Sequence, residues 1–120
     1  MNIDSFIYLE QLRKIAGKLP GVTEGVCFGT PAFYVNKKLL VRLKEDGESL
    51  MMHTQERDKW IKANPKVYYV TEHYLNYPSM LLHLSKIKPK ELEILFFTAW
   101  KLRTNKTQLK EYDPGKSKKD

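Results

Sequence analysis

The chain has 120 residues, 42% hydrophobic and 29% charged, with a formal net charge of +7; that is one domain's length with enough apolar residues for a core, which excludes disorder of the whole chain. Its apolar patches, such as residues 94–97, fall well short of the about 18 residues that span a bilayer, which excludes a transmembrane helix. A single cysteine, Cys27, excludes an internal disulfide, and with no signal-type start at Met1–Asp4 the expectation is a soluble, cytoplasmic protein.

Phe6, Leu9, Leu12, Ile15, Ala16 and Leu19 recur at helical spacing, which predicts an amphipathic helix from Ile3 to about Lys18. Asn2 would cap it and Asp4 would sit in its first turn, where the helix dipole favours an acid. Gly17 and Pro20-Gly21 stop it. The period then changes to two. Strands are predicted over 22–28, 32–36 and 38–44, with Gly29-Thr30-Pro31 as one turn and Asn36-Lys37 in the next. Leu39, Val41 and Leu43 should point one way and Leu40, Arg42 and Lys44 the other. The Asp46-Gly47 turn leads into a strand over 49–53.

Thr54 is read as the cap of a short helix reaching Ala63, with Trp60 and Ile61 facing inward and Asn64-Pro65 ending it. A Val- and Tyr-rich strand follows over 66–71, then a connection over 73–77. The next strand, over 79–85, has Met80, Leu82 and Leu84 on one face. Pro89 suits the first position of a last helix, whose stripe is Leu92, Leu95, Phe96, Ala99 and Leu102. Residues 101–120 hold seven Lys or Arg against three acids, so 1–104 is read as the domain and 105–120 as a basic, flexible tail. Strands grouped between helices argue for an α+β domain. The N- and C-terminal helices would pack on one face of a two-layer antiparallel sheet, with the short helix in the middle.

Candidate chemistry is sparse. His53, His73, His83 and Cys27 show no metal-ligand spacing, so neither a metal nor another cofactor is expected; His53 and His83 could meet across the sheet only as an incidental pair. Cys27 lies among apolar neighbours and reads as a buried, inert thiol. The glycine-containing turns lead into strands and match no phosphate cradle. An enzyme is therefore not expected. The most suggestive feature is a basic and aromatic face carrying Tyr34, Arg42, Lys44, His53 and His83, beside the tyrosines of 68–77. Such faces bind nucleic acid by charge and stacking.

The segment Leu19-Pro20-Gly21-Val22-Thr23-Glu24, then Phe28-Gly29, then Phe33-Tyr34-Val35 with Lys37-Lys38-Leu39-Leu40, resembles the MmcQ/YjbR-like family of small bacterial proteins. The resemblance runs from about residue 4 to 103. This chain has no tryptophan near Met80-Leu81-Leu82, where the family commonly has one, and shows Ala99-Trp100 where the family has a Ser-Tyr pair. The resemblance implies a frataxin-like, or double-wing, architecture and a DNA-binding label without an agreed set of site residues. Iron binding of the frataxin type is disfavoured, because the first helix offers only Asp4 and Glu10 before Arg13, Lys14 and Lys18.

The leading expectation is thus a non-enzymatic module that contacts the DNA backbone. Lys37, Lys38, Arg42 and Lys44 would act on one side and Arg57, Lys59, Lys62 and Lys66 on the other. The alternative is a protein-interaction module or small homodimer, using the Tyr68 to Tyr77 cluster or the Phe97 surface. A small-molecule role in a cleft between sheet and helices is a third reading, and no membrane partner is expected.

Overall fold

A computed structural model describes residues 3–112. Asn2, expected as the first helix's cap, lies outside the described residues, as does 113–120 of the expected tail. Six strands form one antiparallel sheet: β1 (Val22–Cys27), β2 (Thr30–Val35), β3 (Lys38–Leu43), β4 (Ser49–His53), β5 (Tyr68–Tyr69) and β6 (Ser79–His83). Their order is β1-β2-β3-β4-β6-β5, so the sheet is α+β in class with one crossover at its far edge. Helices α1 (Ile3–Ala16) and α3 (Pro89–Arg103) cover one face; α2 (Arg57–Ala63) and α4 (Lys106–Glu111) are short.

Two hairpins turn on two residues each. Phe28 and Gly29 have φ of +51° and +81°, and Asn36 and Lys37 have +52° and +66°. Positive φ at both central positions is the turn whose twist matches the strands it joins. The first of these turns therefore closes on the Cys27–Thr30 pair, and Thr30 and Pro31, expected in the turn, belong to β2. At the third hairpin Asp46 Oδ1 accepts from the amides of Glu48 and Ser49 at 2.9 and 2.8 Å, while its Oδ2 accepts from Ser49 Oγ.

The expected alternation in β3 breaks at one residue. Phe33 pairs with Val41 and Tyr34 with Leu39, which leaves Leu40 as a bulge. A bulge resets the pleat, so Leu40, Val41 and Leu43 all enter the core, and Leu39 joins Arg42 on the other face.

Two helix faces are also rotated from expectation. On α1 the inward positions are Ser5, Leu9, Leu12, Ile15 and Ala16, with Ser5 Oγ donating to the Gly47 carbonyl; Phe6 lies about 100° round the helix and is exposed. On α3 Trp100 takes the place expected for Leu102, which is exposed. The Trp100 indole N–H donates to the Pro20 carbonyl at 2.9 Å, tying α3 to the loop after α1.

The chain does not become a tail at residue 105. Asn105 caps α4 through a capping box with Gln108, and Tyr112 packs its ring on Phe97 and Trp100. The sequence signal was Asn105-Lys106-Thr107-Gln108, the spacing such a box requires. The Tyr112 ring covers part of Phe97, which stays half-buried.

Candidate functional site

The sheet face turned away from the helices is not bare. Ala32, Arg42, Met51, Leu81 and Tyr69 pair across it from strand to strand. Ala32, Arg42, Met51 and Leu81 are buried, although none of the three apolar ones belongs to the helix-side core. Arg42 and Met51 share a cavity with His73, Tyr74, Tyr77 and Pro78 of the segment between β5 and β6, which contains a 3-10 turn over Glu72–Tyr74.

Arg57 holds that segment in place. Its Nη1 donates to the carbonyls of Tyr74, Tyr77 and Ser79 at 3.0, 3.0 and 3.1 Å, and its Nη2 to that of Leu75 at 2.9 Å. Nη1 has two hydrogens for three carbonyls, so one is shared, and Nη2 of the same planar fork reaches the fourth, which a single lysine ammonium would leave unserved.

Between loop and sheet lies a pocket of about 400 Å³. Leu39, Met51 and Pro78 supply its apolar floor and wall, and Cys27 with Phe28 forms one lip. His53 and Ser79, partners across β4 and β6, stand side by side in it. Arg103 reaches in from the end of α3, and its Nη2 donates to His53 Nδ1 at 3.0 Å.

Burial first, and then the Arg103 charge, push the His53 pKa below its ordinary value of 6.5, against the opposing pull of a backbone bond to Pro78. The neutral ring is therefore the folded form at neutral pH. Between the folded and unfolded pKa the unfolded chain binds more protons, so stability rises with pH there. It should be fully present above the unfolded value and fall as pH drops from about 6.5 through the lower folded value. Arg42, Arg103, Cys27, His73, Tyr74 and Tyr77 are the titratable groups facing the same space. Urea midpoints from pH 7.5 to 5 should fall less steeply in His53→Gln than in the parent chain; equal slopes would remove His53 as the cause.

The eight cations singled out in the sequence do not form two patches. Arg42 is 3% exposed, donates to the Cys27 carbonyl at 2.9 Å and pairs with Glu45 at 2.8 Å, so it is a structural ion and not a surface contact. Arg57 is the clamp just described. Lys44 donates to the Tyr74 hydroxyl at 3.0 Å and lies one β3 length, about 20 Å, from Lys38. Lys37 and Lys38 are exposed at the β2–β3 turn. Asn36 fixes that turn to the Arg103 carbonyl and to Gln108. Lys59 pairs with Glu56 beside the Trp60 ring, while Lys62 and Lys66 are exposed.

The other expectations divide similarly. His53 and His83 lie at opposite ends of the β4–β6 pair and do not meet. His83 Nδ1 is instead 3.0 Å from Glu48, with its ring stacked on Tyr69. Tyr68 is 1% exposed and donates to Glu91; burial first and that carboxylate second raise its pKa well above the usual phenol value. Cys27 is half-buried at the pocket lip, not enclosed. Among the described residues no three His, Cys, Asp or Glu side chains converge as metal ligands, and no helix is long and apolar enough to cross a membrane. The importance of Arg57 and Arg103 had no local signal, because their partners come from 17 to 50 residues away.

No family model matches the chain, and no curated protein matches it in sequence. A solved structure does. The chain is similar to the crystal structure of Deinococcus radiodurans protein DR2400, whose family-model domain is DUF419, with a TM-score of 0.69 and 19% identity. The match covers 87% of this chain and 86% of that one. It shows a shared fold.

Proposed function

We propose that the chain is an MmcQ/YjbR-like protein and that it works in the cytoplasm as a non-enzymatic module, holding the DNA backbone through exposed lysines led by Lys37 and Lys38. The family reading is supported by the fold shared with a DUF419 protein, DUF419 being the MmcQ/YjbR-like family, and by the Leu19-Pro20-Gly21 to Leu40 motif.

The observation that carries the DNA reading is the conformation of Lys37. It stands at φ +66° in a two-residue turn whose second position favours glycine. An L-residue there costs about 1 kcal/mol relative to glycine. A lysine kept at that cost, on a turn pinned by Asn36 and next to Lys38, presents two ammonium groups from a rigid tip. Ammonium groups on phosphates give affinity by releasing counterions, without base readout.

The test is fluorescence anisotropy with labelled single- and double-stranded DNA at two salt concentrations. Lys37→Ala/Lys38→Ala should weaken binding about tenfold and flatten the duplex salt slope by about 0.9 for each phosphate no longer neutralised. Lys37→Gly should weaken binding while raising stability by about 1 kcal/mol, which separates DNA contact from folding. Replacing Lys116, Lys118 and Lys119 with Ala should change little. Binding that vanishes only in that last variant would assign it to the C-terminal lysines, unchanged affinity in every variant would rule out Lys37 and Lys38 as the contact, and no binding by the parent chain would move the function to a protein partner or homodimer.

A further inference from the structure

Two buried side-chain polar atoms lack a hydrogen-bond partner among the described residues, Ser79 Oγ and Arg103 Nε. Both belong to residues that line the pocket under the β5–β6 loop. An unpaired buried polar group costs on the order of 1–3 kcal/mol, and both atoms are sealed within the wall rather than open to the cavity. Ser79 is only 6% exposed, and its hydroxyl is enclosed without an acceptor or donor.

The charges in the pocket point to what would complete it. Arg42 is neutralised by Glu45 at 2.8 Å. Arg103 has no carboxylate within ion-pair distance among the described residues; its one side-chain contact is the neutral His53 ring, which accepts from Nη2 and so holds the guanidinium in position. No Asp or Glu lines the cavity. The pocket therefore carries one positive charge without a counterion, in walls that are mainly apolar. At its lip Phe28 is 86% exposed at φ +51°, an uncommon conformation for a bulky residue, with its ring 5.1 Å from the Arg42 guanidinium. Its apolar face is left for something to cover.

We propose that this pocket binds a small organic monoanion, a carboxylate on an apolar or aromatic body, with the Arg103 guanidinium, held by His53, as the charged partner of the carboxylate and Leu39, Met51, Pro78 and Phe28 around the body. One uncompensated cation matches one negative charge; a phosphate monoester would bring nearly two. The volume of about 400 Å³ is of the size that small ligands fill. A guanidinium is the donor that pairs best with a carboxylate in a water-poor site. Lys37 and Lys38 do not line this pocket, so the inference is independent of the DNA reading.

The probe is naphthalene-2-carboxylate, titrated into the full chain by calorimetry and by amide chemical shifts, with neutral naphthalene-2-carboxamide as its isostere. The carboxylate should bind at least about tenfold more tightly than the amide, and shifts should centre on His53, Tyr77 and Ser79. Arg103→Gln should erase the preference. Ser79→Ala should leave the affinity unchanged and raise the melting temperature of the free protein, because it removes an orphaned hydroxyl sealed from the cavity. Equal affinity for carboxylate and amide, undiminished binding in Arg103→Gln, or no saturation by millimolar carboxylate would each overturn the proposal. Displacement of the bound carboxylate by short oligothymidine would overturn it too, by making the pocket part of the DNA surface.

Discussion

Arg57→Ala should cost about 2–3 kcal/mol and free the loop between β5 and β6. One guanidinium serves four carbonyls, those of Tyr74, Leu75, Tyr77 and Ser79. Bonds to a charged donor are worth about 1.5–3 kcal/mol each, but four sharing one group do not add, and two of these are exposed enough for water to replace the donor. The loss should therefore resemble one to two such bonds. It should also be local. Beyond the sheet ladder and one bond from the Thr54 N–H to the Pro78 carbonyl, the loop's own backbone bonds are short-range turns such as Tyr74 N–H to Thr71 and Tyr77 N–H to Tyr74. Hydrogen exchange of amides over 71–79 should accelerate more than that of the β2–β3 ladder. Arg57→Lys should recover only part of the loss, since one ammonium cannot also reach the Leu75 carbonyl that Nη2 serves. An unchanged urea midpoint with unchanged exchange over 71–79 would mean that the backbone shapes the loop unaided.

Trp100→Ala should be the most damaging single substitution, at about 3–5 kcal/mol. The side chain is 0% exposed, and three separate parts of the molecule meet on it. Its N–H donates to Pro20, its ring packs against Phe97 on the same helix, and Tyr112 of the segment after α4 lies 5.5 Å away between ring centroids. Removal leaves a cavity and an unpaired carbonyl at once. Small domains are stable by only about 5–15 kcal/mol, so this loss should bring unfolding near physiological temperature. Trp100→Phe keeps most of the ring and loses the hydrogen bond, and should cost about 1–2 kcal/mol. Urea denaturation followed by circular dichroism reads both. A Trp100→Ala cost below about 1 kcal/mol would show that α3 is held without this side chain.

Much of the fold was legible because its signals are local. Leu9, Leu12, Ile15 and Ala16 recur at helical spacing, Pro89 opens α3, Asp46-Gly47 turns a hairpin, and the strand run between helices implies an antiparallel α+β sheet. Each of these depends on residues a few positions apart. The same reasoning could have found the Asn105 to Gln108 capping box and so the last short helix.

The candidate site was less legible. Arg42 and Arg57 read as surface cations because arginine usually is one, and nothing near either residue announces a buried partner. Leu40 could not be placed in the core before the bulge opposite Phe33 and Tyr34 was known, since one extra residue inverts every later assignment of face. The sequence by itself determined the class of fold, the order of its elements, the net positive charge and the exposed pair Lys37 and Lys38. Only the tertiary structure decided that Arg57 roofs the far side of the sheet, that Trp100 anchors α3, and that Ser79, His53 and Arg103 share one cavity. The physical reason is that periodicity and turn chemistry act along the chain, whereas burial, pairing of charge and an unpaired donor are set by groups that meet only after β4, β6 and α3 have packed.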